Sequence, residues 1–139
     1  MVIVKKVDHI GIAVKNLDET IPYYTETLGL KVLKIEEVAS ESVRVAFIDA
    51  GNVKLELLEP MSDQSAIHSF IEKKGEGIHH IAFGVEGIEE RMNELREKGV
   101  RILNEQPKIG AGGAQVAFLH PKSSFGVLYE LCDKSGLKG

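Results

Sequence analysis

Two histidines and two glutamates occupy equivalent places in two similar stretches of the chain. His9 lies in DHIGIAV at residues 8–14 and His80 in HHIAFGV at residues 79–85, while Glu56 lies in LEL and Glu130 in YEL. Imidazole nitrogens and carboxylate oxygens are ligands that divalent first-row metals take in proteins. Two of each would balance the charge of such an ion and leave two positions of an octahedral site for substrate or water. If the four residues converge, they therefore predict a metal site.

Strand alternation places each histidine on a strand face that otherwise carries small residues. In the first stretch one face carries His9, Gly11 and Ala13, and in the second it carries His80, Ala82 and Gly84. One imidazole beside two small residues leaves room that a packed core would normally fill. A lone carboxylate among apolar neighbours is costly unless it is paired or metal-bound. The alternative is that Glu56 and Glu130 face solvent on edge strands.

The elements that must position these residues repeat along the chain. DHIGIAV matches HHIAFGV, a helical pattern ending at Gly29 matches one ending at Gly99, VAFI at residues 45–48 matches VAFL at 116–119, and LEL matches YEL, all in the same order. Each half is predicted to be β-α-β-β-β, with strands after the glycines at residues 30–33 and 100–103. A helix at about residues 64–73, capped by Ser62 or Asp63, links the halves.

Length and composition limit the function classes. The chain has 139 residues with 43% hydrophobic and 27% charged residues and a net charge of −4. These values predict a single folded domain over residues 1–139, with module one at about 5–61, a linking helix at about 62–74 and module two at about 76–133. No basic cluster indicates a nucleic-acid partner, and no apolar run reaches membrane-spanning length. The single cysteine, Cys132, and the lack of a signal-peptide pattern favour a cytoplasmic protein.

Several motifs resemble the vicinal oxygen chelate superfamily, and within it the methylmalonyl-CoA epimerase family. The resemblance covers about residues 6–133 and rests on DHIGIAV at 8–14, ELLEP at 56–60, GEGIHHIAFGV at 75–85 and the more specific PKIGAGGAQVAFLHPKSSFGVLYEL at 107–131. It implies an α+β fold in which two βαβββ modules in tandem form a cupped mixed sheet around a central metal site. It also implies epimerisation of (R)- and (S)-methylmalonyl-CoA, an acyl-CoA partner and a homodimer.

The same resemblance implies the site residues. The metal ligands would be His9, Glu56, His80 and Glu130, and the ion would be divalent, with cobalt favoured and zinc, nickel, manganese or iron as alternatives. Epimerisation moves the proton at C2, which lies between a thioester and a carboxylate, so a metal on the thioester oxygen would stabilise the enolate.

Inversion requires a proton to leave one face of C2 and return on the other, so two proton-transfer groups are expected. The resemblance implies Glu130 for one of them. Several family members carry the other as a glutamate on the third strand of the first half, where this chain has Val45. Glu41 is the candidate to replace it if the strand register places Glu41 on the same face. The alternatives are that Glu41 is a solvated turn residue and that a water or another loop residue transfers the proton.

A glycine-rich turn is the candidate for binding the CoA portion. Backbone amides at Gly112 and Gly113 could approach an anion, with Lys108 and Lys122 on either side. The alternative is a flexible turn with ordinary surface lysines.

Three rival functions share this pattern in part. A lactoylglutathione lyase needs a similar four-ligand site, and only the 107–131 stretch argues against it. An extradiol dioxygenase usually uses two histidines and one glutamate, so the fourth ligand argues against it. A metal-free binding protein of the same fold would have no reason to keep all four ligand types.

Overall fold

Two βαβββ modules follow one another in the computed structural model, which describes residues 2–137. The first consists of β1 (Lys6–Ala13), α1 (Leu17–Pro22), β2 (Lys31–Val38), β3 (Val43–Asp49) and β4 (Lys54–Pro60). After the linking helix α2 (Ala66–Lys74), the second consists of β5 (Gly77–Gly84), α3 (Ile88–Glu97), β6 (Lys108–Ile109), β7 (Gln115–Leu119) and β8 (Tyr129–Asp133). The predicted α+β class with tandem βαβββ modules is confirmed.

The described residues divide into two units, one of residues 9–79 and one of residues 2–8 with 80–137. In the first unit the strand order is β2-β3-β4-β1, with β1 parallel to β4 and the other pairs antiparallel. In the second unit the order is β6-β7-β8-β5, with β5 parallel to β8 and the other pairs antiparallel. The two units therefore repeat one topology, as the sequence repeat predicts.

One face of the sheet in each unit packs on its helix. In the first unit the α1 residues Leu17 and Ile21 pack against Val14, Ile48 and Leu57. In the second, Ile88 and Met92 of α3 occupy the equivalent positions against Val85, Ala117, Leu119 and Leu131. Burying one such side chain stabilises the fold by roughly 1.5–3 kcal/mol. On the bulky sides of β1 and β5, Ile12 and Val14 thus pack in the first core and Val85 in the second. The histidine-bearing side of β5 packs as well, because Ala82 lies in a further apolar cluster with Ala114, Val116 and Cys132.

The helix ends show how the strands hold the helices in place. Glu59, at the end of β4, accepts the N–H of Leu17 at 2.8 Å, and Asp133, at the end of β8, accepts the N–H of Ile88 at 3.0 Å. At the other ends Gly29 and Gly99 take positive φ values of 74° and 89°. Glycine adopts this conformation without the penalty that a Cβ brings, so the predicted helix stops are confirmed.

The first predicted helix contains an interruption. α1 ends at Pro22, and Tyr23–Thr27 continue as a π-helical turn in which Leu28 N–H donates to Tyr23 O at 3.0 Å. Pro22 has no N–H to donate to Asp18 O, so the α-helical ladder lacks one bond just before the π-helical turn.

Two local predictions were wrong. Residues 100–103 do not form a strand: Ile102 makes an isolated bridge to Leu119, and the Asn104 side chain accepts the Phe118 N–H that a ladder would use. β6 forms later, at Lys108. The cap of α2 is Ser65, whose buried hydroxyl accepts the Ile67 N–H at 3.1 Å, rather than Ser62 or Asp63.

Within residues 2–137, no helix is both long enough and apolar enough to span a bilayer.

Candidate active site

In the first unit a histidine and a glutamate meet on neighbouring strands. The parallel register of β1 and β4 sets Gly11 opposite Glu56, and His9 shares the Gly11 face. His9 Nδ1 lies 3.2 Å from Glu56 Oε2. The two residues are only 3% and 4% exposed. Their partnership replaces part of the hydration that burial removes.

The second unit repeats the arrangement. The register of β5 and β8 sets Ala82 opposite Glu130, and His80 Nε2 lies 3.6 Å from Glu130 Oε1. These residues are 5% and 6% exposed. The sequence alternative, in which both glutamates face solvent, was wrong, because each carboxylate is buried against the histidine of its own unit.

In each unit a phenylalanine lies opposite the glutamate on the next strand, and a lysine lies over the phenylalanine ring. In the first unit Phe47 opposes Glu56, and Lys34 Nζ lies 5.0 Å from the centre of the Phe47 ring. In the second, Phe118 opposes Glu130, packs edge-on against His80 at 5.6 Å between centroids, and has Lys108 Nζ 5.8 Å from its ring centre. Each unit therefore carries a row of lysine, phenylalanine and glutamate beside its histidine.

The donors in these pairs suit a divalent metal. Each unit offers one buried imidazole and one buried carboxylate, the ligand types that zinc, cobalt, nickel, manganese and iron(II) accept. A metal would neutralise the carboxylate charge that burial makes costly. The residues present therefore fit the ion that the sequence predicts.

The predicted second proton-transfer residue does not lie where strand alternation would place it. β3 begins at Val43, and Glu41 instead ends a 3-10 turn, Ala39–Glu41. Ser42 follows in the left-handed region with φ 52°. The alternation that relates Val45 to earlier positions therefore stops before Glu41, so the register argument for Glu41 was wrong. Its role in proton transfer stays a prediction.

The predicted substrate-binding residues lie in two parts of the second unit. Lys108 is in β6, and Gly112 and Gly113 follow in the 3-10 turn Ala111–Gly113 with φ values of 73° and 81°. Lys122 is exposed in the turn Pro121–Ser124, and its N–H donates to His120 Nδ1 at 3.0 Å. Through Phe118, Lys108 reaches the surroundings of His80, whereas the part played by the other three stays a prediction.

The remaining histidines have structural environments. His79 packs edge-on against Phe70 of α2 at 4.9 Å between ring centroids. Burial, and then the charge of Lys74, lower the pKa of His79, which favours the neutral ring. His68 lies 3.5 Å from Glu72 one helical turn away.

Sequence reasoning missed Asp8. This buried carboxylate lies 3.0 Å from Lys134 Nζ and accepts from Cys132 Sγ at 3.7 Å. The signal that would have identified Asp8 is the same one that marks the two glutamates, a carboxylate beside apolar strand residues.

Comparison with known proteins identifies the superfamily of this chain. A family model described as the Glyoxalase/Bleomycin resistance protein/Dioxygenase superfamily matches residues 8–118. The chain therefore belongs to that superfamily, whose breadth spans several activities.

Individual relatives narrow the class. The ethylmalonyl-CoA/methylmalonyl-CoA epimerase of Cereibacter sphaeroides is 42% identical over 91% of this chain and 96% of its own length. A glutamate-to-glutamine variant of Streptomyces coelicolor methylmalonyl-CoA epimerase, in complex with 2-nitronate-propionyl-CoA, is 40% identical with a TM-score of 0.89 over 96% of this chain and 99% of that one. A hypothetical protein of Bacillus halodurans is 53% identical with a TM-score of 0.93 over 96% and 97%. The resemblance to methylmalonyl-CoA epimerases is confirmed, and the chain is an enzyme of the isomerase class.

Proposed function

We propose that this enzyme interconverts (R)- and (S)-methylmalonyl-CoA by removing and returning the proton at C2. The observation that carries the proposal is the buried His–Glu pair at the same place in both units. Relatives covering nearly the whole chain are named for this activity. Because the C. sphaeroides relative is also named for ethylmalonyl-CoA, that longer-branched thioester is the second substrate to test.

His9, Glu56, His80 and Glu130 would together hold one divalent ion, with cobalt as the first metal to test. Two buried imidazoles and two buried carboxylates support this assignment. When bound, the ion would act as a Lewis acid toward the charge that develops on the thioester oxygen. The sheet contributes rigidity, since all four ligands lie on strands.

Glu130 would also exchange a proton with C2 on one face. Its carboxylate lies on β8, with the Phe118 ring opposite on β7, so bulk water has little access to it. A rigid carboxylate within reach of C2 is the arrangement that general acid–base catalysis needs. Glu41 remains the sequence-based candidate for the other face.

The acyl-CoA would be anchored by the second unit. Lys108 supplies an ammonium beside Phe118, and Lys122 supplies a second one in an exposed turn. Gly112 and Gly113 present backbone without side chains between them. These groups suit the carboxylate and phosphates of the substrate.

We further propose a homodimer in the cytoplasm. β2 is the outer strand of the first unit, and its apolar residues Leu33 and Ile35 are 46% and 48% exposed. An outer strand with apolar side chains is a surface that a second copy could cover.

Conversion of a single epimer tests the proposed activity. (S)-Methylmalonyl-CoA is incubated with the cobalt-loaded protein, and a coupled mutase specific for the (R) epimer reports conversion. We expect the protein to convert the (S) epimer to the (R) epimer, and we expect a metal chelator to abolish this conversion. If no divalent metal supports it with either acyl-CoA, the proposal fails, and the hemithioacetal of methylglyoxal and glutathione tests the lyase alternative.

A further inference from the structure

An irregularity in β2 changes which of its side chains face which way. Val32 opposes Ile48 on β3, but the next paired residue is Lys34, which opposes Phe47. Leu33 is therefore an extra residue, as in a β-bulge. Val32 and Ile48 belong to the helix-facing core of the first unit. Beyond the bulge, the alternation of β2 is reversed relative to Val32.

The reversal places two charged residues on the face that carries Glu56. Lys34 opposes Phe47, which in turn opposes Glu56 on β4. Glu36 opposes Val45, which opposes Leu58. Directly opposed side chains in an antiparallel pair lie on one face with Cβ atoms about 4.5–5.5 Å apart. Without the bulge, Lys34 and Glu36 would point toward the α1 side.

Within one chain, the bulge leaves apolar side chains of β2 incompletely buried. Ile35 opposes Ala46 on the helix-facing side yet stays about half exposed, and so does Leu33. Such an arrangement does not maximise burial of the most apolar residues of β2. Bulges recur next to active sites because they re-aim a side chain.

Glu36 is well placed to meet a substrate on that face. Its carboxylate Oε2 lies 3.8 Å from Lys34 Nζ, and its side chain is 28% exposed. Lys34 itself lies over the Phe47 ring. The ion pair orients the carboxylate, and the partial exposure leaves it accessible to a bound molecule.

The other carboxylates on this face have different tasks. Glu56 is paired with His9, and Asp49 accepts the Gly51 N–H at 2.8 Å in the exposed turn that ends β3. Val45, between Glu36 and Leu58, is apolar and fully buried, so it cannot exchange protons. Among the described residues on this face, Glu36 is therefore the carboxylate that is neither buried against a histidine nor part of a turn.

We infer that Glu36 is the second proton-transfer residue of the epimerase, an inference that rests on the proposed function. In one direction the C2–H bond breaks, the proton passes to Glu36, and its electron pair delocalises as an enolate. A proton from Glu130 then forms the new C2–H bond on the opposite face. Nothing is oxidised or reduced, and solvent restores the protonation of both carboxyl groups.

The test measures conversion and hydrogen exchange separately. Glu36→Gln removes one proton-transfer group, so epimer conversion should fall at least about a hundredfold. Deuterium from D2O should still enter C2 of one epimer through Glu130, without inversion. The matched control is Glu37→Gln, the adjacent exposed residue that opposes Arg44 on the other face, and it should behave like the wild type.

Several outcomes would overturn the inference while leaving the proposed function intact. One is an active wild type together with a Glu36→Gln variant that converts at a normal rate. Another is a Glu36→Gln variant that exchanges deuterium into neither epimer. A residue that acts on one face of C2 should leave exchange through Glu130 on the other face intact. A large loss in Glu41→Gln with an active Glu36→Gln would restore the sequence prediction.

Folding of the variant is checked with the same samples. Circular dichroism and cobalt binding should match the wild type, and Glu36→Asp, which keeps a shorter carboxylate, should recover part of the conversion. A folded Glu36→Asp variant that converts no faster than Glu36→Gln would overturn the inference, and an inactive wild type would overturn it together with the proposed function.

Discussion

Burial of ionisable side chains is the feature that most clearly marks the site at the scale of single residues. Four such residues, His9, Glu56, His80 and Glu130, are nearly excluded from water. Buried charge is costly for stability unless another charge, hydrogen bonds or a metal compensates it. The proposed ligand role would account for the two buried pairs in the sheets.

Removing one histidine should weaken metal binding. In His80→Ala, the affinity for Co²⁺ measured by calorimetry should fall at least about tenfold, since even the groups that only support ligands contribute 10–100-fold. His68→Ala removes an imidazole from the exposed face of α2 and serves as the control. Equal affinities in the two variants would argue against His80 as a ligand.

Removing the Lys108 ammonium should affect binding of substrate more than chemistry. Lys108→Met keeps an apolar stem over Phe118, so KM for the acyl-CoA should rise roughly tenfold while kcat changes little. Lys98→Met, at the end of α3, is the matched control. A selective loss of kcat would instead place Lys108 in the chemical step.

At the scale of elements, the N-terminus of α3 is stabilised by a residue far away in the sequence. Gly87 at its start offers no side-chain cap, and Asp133 of β8 accepts the Ile88 N–H instead. Burial alone would raise the pKa of Asp133, but hydrogen bonds from Ser135, Ile88 and Gly87 outweigh it and lower the pKa below its ordinary value of 3.8. The charged form is therefore the one that the fold stabilises.

Asp133→Asn should destabilise the protein by about 1 kcal/mol at pH 7, as loss of a helix cap does. Because the folded-state pKa is the lower one, the contribution of Asp133 is complete above pH 3.8 and declines as pH falls through the folded-state pKa. Urea unfolding at pH 7 and pH 3 should show the difference shrinking in acid. The exposed Asp63→Asn is the control, and a difference that grows in acid would contradict this assignment.

Much of the element pattern could be predicted from the sequence because the repeat provides two independent readings of each strand. The stops at Gly29 and Gly99 were predicted correctly, and Ile12, Val14 and Val85 pack on the predicted faces of β1 and β5. The room predicted beside His80 is partly filled, because Ala82 packs in an apolar cluster. The prediction of a strand at residues 100–103 was wrong, because the competing Asn104 hydrogen bond comes from tertiary structure. The face of Lys34 and Glu36 was equally hidden, since alternation from Val32 points them the wrong way until the bulge is known.

Duplication governs the molecule as a whole. The same strand order, capping carboxylate and His–Glu pair occur in both units, and the ring-and-lysine row accompanies them. In the proposed site each unit would supply one histidine and one glutamate. Glu130, unlike Glu56, is assigned a second task, and this asymmetry is what an inversion at carbon requires.

The oligomeric state is a prediction at the same scale. Light scattering coupled to size-exclusion chromatography should give twice the chain mass of 15.3 kDa. Leu33→Lys with Ile35→Lys places like charges on the proposed contact and should shift the protein toward the monomer. A wild type that elutes as a monomer at micromolar concentration would contradict the dimer.

Hydrogen exchange at C2 tests the central claim most directly. The protein is stripped with chelator, divided, and incubated with methylmalonyl-CoA in D2O with or without one equivalent of Co²⁺, and mass spectrometry follows deuterium uptake against the slow exchange without enzyme. We expect rapid exchange of both epimers with cobalt and only the background rate in chelator. Background exchange in both samples would contradict the account, and equal acceleration in both would contradict the role of the metal.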